Sequence, residues 1–255
     1  MAGAKRGRLE ALIYIASNWQ ATFTDSVGAT VVTVAAGNWY ILDLIAEINA
    51  DLPRNWLVTI SDGETGTGRV TITTTDTPWS VTWTSTDMRD LLGFTGNIAG
   101  VSVAQTGTNH VQGMWLPDTI KWSPHGDDAG SDNVLTTWTD TRYLVGPQGQ
   151  VQTLGGNSRK EYALRYEGCT RARTKVAGES VSGESFEQFW LTCHCGGESY
   201  FKRGAAVRVY WDADDDTNYT VVKMILPPQF DPGQLSQNWT GRYVIEIPRI
   251  ILVPS

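Results

Sequence analysis

The sequence predicts a mainly β protein arranged as two β-rich, sandwich- or barrel-like domains with a few short helices. Short runs rich in Val, Ile, Thr, Trp and Tyr recur along the 255 residues, bounded by Gly, Asp and Asn, as strands and their turns are. One stretch stands out for its helical period. Finally, 41% hydrophobic against 18% charged residues, with 11 Trp, 9 Tyr and 6 Phe, describe a chain able to bury a sizeable core.

The chain starts MAGAKRGRLEALIYIAS, a basic segment before an apolar one. Glu10 interrupts the run and LIYIA is shorter than a signal-peptide core, so this reads as an ordinary first strand. Strands are then expected over 20–24, 30–35, 57–61, 69–75 and 80–84. The run from Asp62 to Gly68 is turn chemistry, so LVTIS and RVTITTT form an antiparallel hairpin. Ile41, Leu44, Ile45, Ile48 and Leu52 recur at three-and-four spacing, with Asp43, Glu47 and Asp51 opposite: an amphipathic helix over about 41–52, ended by Pro53. A one-turn helix is expected from Ser85 or Thr86 as N-cap through Met88, Leu91 and Leu92. Gly93 supplies the left-handed closing residue, and Phe94 folds back onto the core. A third helix is a candidate after Ser182, where Phe186, Phe189, Trp190 and Cys193 repeat at helical spacing.

From Met114 to about Gly156 the texture changes. Pro117, Pro124, Pro147 and the segments HGDDAGSD and GPQGQ suggest long loops or an inter-domain connection. Strands resume over 162–166, 206–211, 219–226 and 243–252. The chain therefore divides near residue 115. Residues 1–115 form an N-terminal β-rich module with the amphipathic helix, and residues 116–255 a C-terminal β-rich domain with long loops.

A formal charge of −7 and a pI near 5.0 give an average field that repels nucleic acid, whose binding is driven by Lys and Arg. Positive charge concentrates only at Lys5, Arg6 and Arg8 and at Arg165, Arg171, Arg173 and Lys175, which read as a solvated face or a contact with an acidic neighbour. No window holds the ~20 apolar residues of a membrane span, so a soluble protein is expected. Three cysteines, Cys169, Cys193 and Cys195, lack the spacing of a disulfide scaffold and suggest free thiols in a reducing cytoplasm.

The sequence offers no catalytic, cofactor-binding or metal-ligating residue that withstands inspection. Cys193, His194 and Cys195 are consecutive, and neighbouring side chains on a strand point to opposite faces. Asp212, Asp214 and Asp216 have the alternation of a calcium loop, but Lys223 stands where a bidentate Glu should close it; a polar hairpin tip explains them. HGDDAGSD, with His125, Asp127, Asp128 and Asp132, reads likewise. Gly63, Gly66 and Gly68 match neither a dinucleotide fingerprint nor a P-loop. None of His110, His125 and His194 stands near a nucleophile in a hydrolase context. Paired carboxylates are plentiful, so the sequence alone leaves a glycosidase open. Among Trp79, Trp83, Trp115, Trp122, Trp138 and Trp239, core packing competes with subunit interfaces and with sugar platforms. Trp83 alternates with Thr and is expected in the core, Trp239 at the surface.

One stretch carries more than composition, from Thr22 to about Gly96. An apolar strand leads to Ala36-Gly37-Asn38-Trp39-Tyr40 and a helix over 42–49. A hairpin then ends in Ser80-Val81-Thr82-Trp83, followed by Met88-Arg89-Asp90-Leu91-Leu92-Gly93-Phe94. This order resembles a small module of tailed-bacteriophage virion proteins, in which a "G-x-Y" strand end leads into a helix and then an "LLGF" turn. Here two residues separate Gly37 from Tyr40 instead of one. More loosely, the aromatic cluster 186–190, the Gly-rich turn, the "YF" strand and the final strand 243–252 resemble distal tail and baseplate components.

The resemblance implies a structural, non-enzymatic virion protein, of the tail tip or baseplate, assembled in the host cytoplasm. Its partners would be itself, in a ring-like homo-oligomer, and other virion proteins, with no cofactor, nucleic acid or membrane. Rival readings are a head decoration or head-to-tail adaptor protein, and a carbohydrate-binding module for a host-surface glycan. An enzyme such as a wall-degrading hydrolase is a third class, which no constellation supports.

Overall fold

The structure, a computed structural model, describes residues 8–63, 66–116, 135–139, 142–145, 151–154, 158–170, 189, 195–210, 212, 214–224, 229–231 and 242–252. Its elements run β1 (Arg8–Ala11), β2 (Ile13–Ile15), β3 (Trp19–Thr24), β4 (Ala29–Val34), β5 (Gly37–Trp39), α1 (Ile41–Asp51), β6 (Trp56–Ile60), β7 (Val70–Thr74), β8 (Trp79–Trp83), α2 (Thr86–Leu91), β9 (Ile98–Val101), β10 (Gln105–Thr106) and β11 (Met114–Trp115). Then follow β12 (Leu135–Thr139), β13 (Arg142–Val145), β14 (Val151–Leu154), β15 (Ser158–Thr170), β16 (Val207–Tyr210), β17 (Tyr219–Met224), β18 (Gln229–Asp231) and β19 (Arg242–Leu252). The protein is mainly β, its described strands pair antiparallel, and the described sheets close no barrel.

Two sheets and a helix enclose most of the described core. The four-stranded sheet has the order β4-β3-β8-β9 and the three-stranded sheet β10-β7-β6. Period two sends Trp19, Ala21 and Phe23 of β3 inward and Gln20, Thr22 and Thr24 outward. In the expected hairpin, Val58 stands opposite Ile72 and Ile60 opposite Val70. Edge-to-face aromatic pairs link the two sheets: Phe23 with Trp56 at 5.2 Å and Trp56 with Trp79 at 5.3 Å. Trp83 is buried as expected and stacks on Phe94.

An isolated helix of α1's length would be marginal in water, so its order comes from the face it buries. Ile41, Leu44, Ile45 and Ile48 are buried, each contributing about 2 kcal/mol on leaving water. After the extended Leu52, Pro53 ends it. The last turn also meets the open edges of both sheets. Asn49 donates its side-chain amide to the Val58 carbonyl and accepts the Val58 N–H, each at 2.8 Å, as a neighbouring strand would. Asp51 accepts the Thr33 N–H of β4 at 3.1 Å. At the other end of β4, Asp25 accepts from Asn55 at 2.9 Å and from the Trp56 indole at 2.7 Å, tying the β3–β4 turn to the start of β6. These donors, with the Val27 and Gly28 amides of its own turn, hold its carboxyl below the usual range against the desolvation that opposes them.

The one-turn helix forms as α2, with Ser85 at its N-cap position. The Ser85 hydroxyl caps no helical amide; it accepts the Gln20 N–H of β3 at 2.9 Å, which moors the helix to the sheet. Gly93 takes φ +81°, and a Cβ there would overlap the Asn109 carbonyl, so the closing turn demands glycine twice over. Its own carbonyl accepts the Asn109 N–H at 2.9 Å.

The first strand belongs to a third, eight-stranded sheet of order β11-β1-β16-β17-β19-β15-β12, with β18 beside β19. Residues of both expected domains contribute to it, β1 and β11 from before the expected division and β12 and β15 to β19 from after it, while β13 and β14 pair only with each other. Leu9 and Ala11 of β1 and Val207 and Val209 of β16 join the same core cluster as the two smaller sheets. Within 114–156, where long loops were expected, β12 pairs with β15 and β13 with β14. LTTWT, RYLV and VQTL are β-favouring runs whose Gly- and Pro-rich flanks dominate a reading by composition. Of the third candidate helix only Phe189 is described, and it is buried; Phe186, Trp190 and Cys193 lie outside the described residues.

Candidate functional site

The most chemically distinctive cluster lies where β1 meets β16 and the start of α1. Glu10, on β1, has no solvent contact. Tyr40, the N-cap residue of α1, provides no side-chain cap, so the first amides of the helix look outward for acceptors. Glu10 provides one from 32 residues away: Oε1 accepts the Leu42 N–H at 2.8 Å, at the positive end of the helix. Its Oε2 accepts the Tyr210 hydroxyl of β16 at 2.8 Å. Burial pushes the carboxyl up to about 7, against the two hydrogen bonds and the pull of Arg208 and Arg8.

Two arginines frame this carboxylate. Arg208 on β16 is 3.9 Å from Glu10 but 2.9 Å from Asp43 of α1, and its guanidinium lies over the rings of Tyr40 and Tyr219. Arg8, fully buried, lies 4.1 Å over the Tyr210 ring. It forms a 2.8 Å ion pair with Asp62, after β6, and pairs with Asp216, between β16 and β17. Burial raises the Asp62 carboxyl although Arg8 opposes it. Burial and then the Glu10 carboxylate raise the Tyr210 hydroxyl.

A carboxyl titrating near neutrality is what general acid–base chemistry uses. In this packing, however, both Glu10 oxygens are engaged and none touches solvent, so no substrate atom reaches it. The cluster acts chemically as a clamp between a helix and a sheet.

A separate open cleft of about 370 Å3 lies between α2 and the segment 198–200. Asp87, Asp90 and Glu198 give it negative charge, and the Arg89 cation is held by Asp90 at 2.7 Å. Tyr200 donates to Gln112 on its wall. Phe94 and Tyr200 are largely buried, so neither offers the flat open ring that sugar stacking requires.

Comparison with protein-family models, with curated proteins and with solved structures finds no match to this chain.

The residues weighed in the sequence fall out as follows. Asp212, Asp214 and Asp216 sit on the connection between the paired strands β16 and β17, and Asp216 is drawn to Arg8. Gly68 has φ +68° and lies against the buried His110 ring, while Gly66 packs too closely on the Ser61 carbonyl for any Cβ. Trp79, Trp83 and Trp115 are buried. Cys195 is exposed, whereas Cys193, His194, His125 to Asp132, Trp122 and Trp239 lie outside the described residues. No group of three potential metal ligands occurs among the described residues. No described helix is long and apolar enough to cross a membrane.

The sequence marks Glu10 only as an interruption of an apolar run and Arg8 only as part of a solvated or contact patch, whereas both are buried; it singles out neither Arg208 nor the meeting of the three. A signal existed: Glu10 inside LEALIYI and Arg208 inside AAVRVYW are charges in otherwise apolar strands, where a partner becomes obligatory.

Proposed function

We propose that this chain is a structural component of a bacteriophage particle, a tail-tip or baseplate protein that oligomerises and docks other virion proteins. The observation that carries the reading is the order of strand, amphipathic helix, hairpin and LLGF turn between Thr22 and Gly96, which resembles the virion module. Those segments fold as one unit, with Phe94 stacked on Trp83 and Gly93 locked against Asn109.

The surface is also suited to protein contact. The outward positions of β4, β3 and β8 are Ala29, Val31, Thr33, Gln20, Thr22, Thr24, Ser80 and Thr82, with no charge among them. Val27, Val31, Leu57 and Val103 are exposed. Such faces meet another protein without stripping water from ions.

The test is localisation on the particle. Gold-labelled antibodies are expected to decorate one defined place, the tail end distal to the head, and particles lacking the protein to stop at tail completion. Labelling spread over the capsid favours the decoration reading, and complete, infectious particles without the protein rule out the structural role.

A further inference from the structure

Glu10 joins three elements, and its surroundings hold more negative than positive charge. From its own strand Arg8 lies on the same side of β1. From β16 come Arg208 and Tyr210, from α1 and its N-cap Asp43 and Tyr40, and from β17 Tyr219. Beyond Arg8 stand Asp62 and Asp216. β11, on the other side of β1, brings Met114 and Trp115, which do not titrate in this range.

Two guanidiniums therefore face four carboxylates. Arg8 is in contact with Asp62 and Asp216, and Arg208 is closer to Asp43 at 2.9 Å than to Glu10 at 3.9 Å. The carboxylate with no solvent is thus also the one whose nearest cation, Arg208 at 3.9 Å, is held more closely by another carboxylate. Taking an ion out of water without a close counter-ion is the costly case, and a carboxyl escapes it by holding its proton.

We propose that this junction is a proton-operated latch: the closed packing of β1 and α1 on β16 holds Glu10 protonated, and loss of that proton to solvent loosens the first turn of α1 from the sheet. In the protonated form one oxygen still accepts the Leu42 N–H, while the acid O–H donates to the Tyr210 oxygen, whose hydroxyl turns round. In the ionised form both donors remain, but a second uncompensated negative charge joins the junction. The latch rests on β1, α1 and β16 and stands apart from the assembly reading.

The direction with pH follows from the carboxyl being raised from 4.5 to about 7 by burial. The closed state binds the proton more tightly than the open one. Its stabilisation is complete below 4.5 and is lost as the pH rises through about 7.

The experiment compares the full chain with its Glu10→Gln variant at about pH 5 and about pH 8, reading the unfolding equilibrium and the intrinsic-rate-corrected hydrogen exchange of the Leu42 amide. Wild type is expected to lose roughly tenfold to a hundredfold in folding equilibrium relative to the variant across that range, and Leu42 protection to fall with it. A protonated-carboxyl infrared band is expected at the acid end in wild type and to be missing from E10Q. Should E10Q not fold, Arg208→Gln carries the test: removing the cation 3.9 Å from Glu10, which favours only the ionised form, moves the transition to higher pH. The same pH dependence in wild type and E10Q, an ionised Glu10 band throughout, or an Arg208→Gln transition that stays in place overturns the latch.

Discussion

The aromatic core between the two small sheets and the charged junction under β1 hold the same protein together by opposite means. In the core, Phe23, Trp56, Trp79 and Trp83 meet edge to face and depend on area and fit. At the junction, Arg8 and Glu10 are as deeply placed, with a partly exposed Arg208 beside them, but they depend on pairing, because water lost from a charge is replaced only by a partner. The core tolerates changes of pH and salt and punishes changes of volume. The junction responds in addition to any change of charge.

Three substitutions break or sharpen this contrast. Trp79→Ala removes one of the two largest fully buried side chains among the described residues and is expected to cost about 3–5 kcal/mol, with the same loss at acid and neutral pH. Urea midpoints at two pH values check it; a strongly pH-dependent loss would show that the core is not purely a packing device. Gly93→Val is expected to cost about 2–3 kcal/mol, since a β-branched residue must adopt φ +81° with a carbonyl where its Cβ would lie. Unchanged thermal unfolding would remove the closing turn from the account.

Arg8→Met keeps the length of the side chain and deletes the charge, leaving Asp62 beside Asp216. The expected cost is about 2 kcal/mol near neutral pH, below that of a fully enclosed pair because 61% of the Asp216 side chain is exposed. The Asp62 carboxyl is already raised by burial and loses the cation that opposed this, so it takes up a proton readily and the cost shrinks as pH falls. A cost independent of pH would mean that Arg8 works as a packed stem and not as a charge.

The same contrast explains what could be read from the sequence. The 57–75 hairpin, α1 and the Gly93 turn were legible because each depends on neighbours within a few residues: period two in LVTIS, three-and-four spacing from Ile41 to Ile48, a glycine after Leu91-Leu92. Glu10 meets Tyr210 across 200 positions, and nothing local announces that meeting. The placement of β1 beside β16, on which the clamp depends, is likewise a choice among strands that local period leaves open. LTTWT was hidden differently, as a short strand among turn residues.

The way α1 ends has a consequence for the exposed edges of the sheets. Asn49 and Asp51 occupy backbone groups of β6 and β4 that an incoming strand would otherwise use. The helix thereby obstructs edge-to-edge pairing, a mode of association that has no natural stopping point. Damage to that last turn is expected to change the kind of failure as well as its extent, from a weakened fold to one with open strand edges.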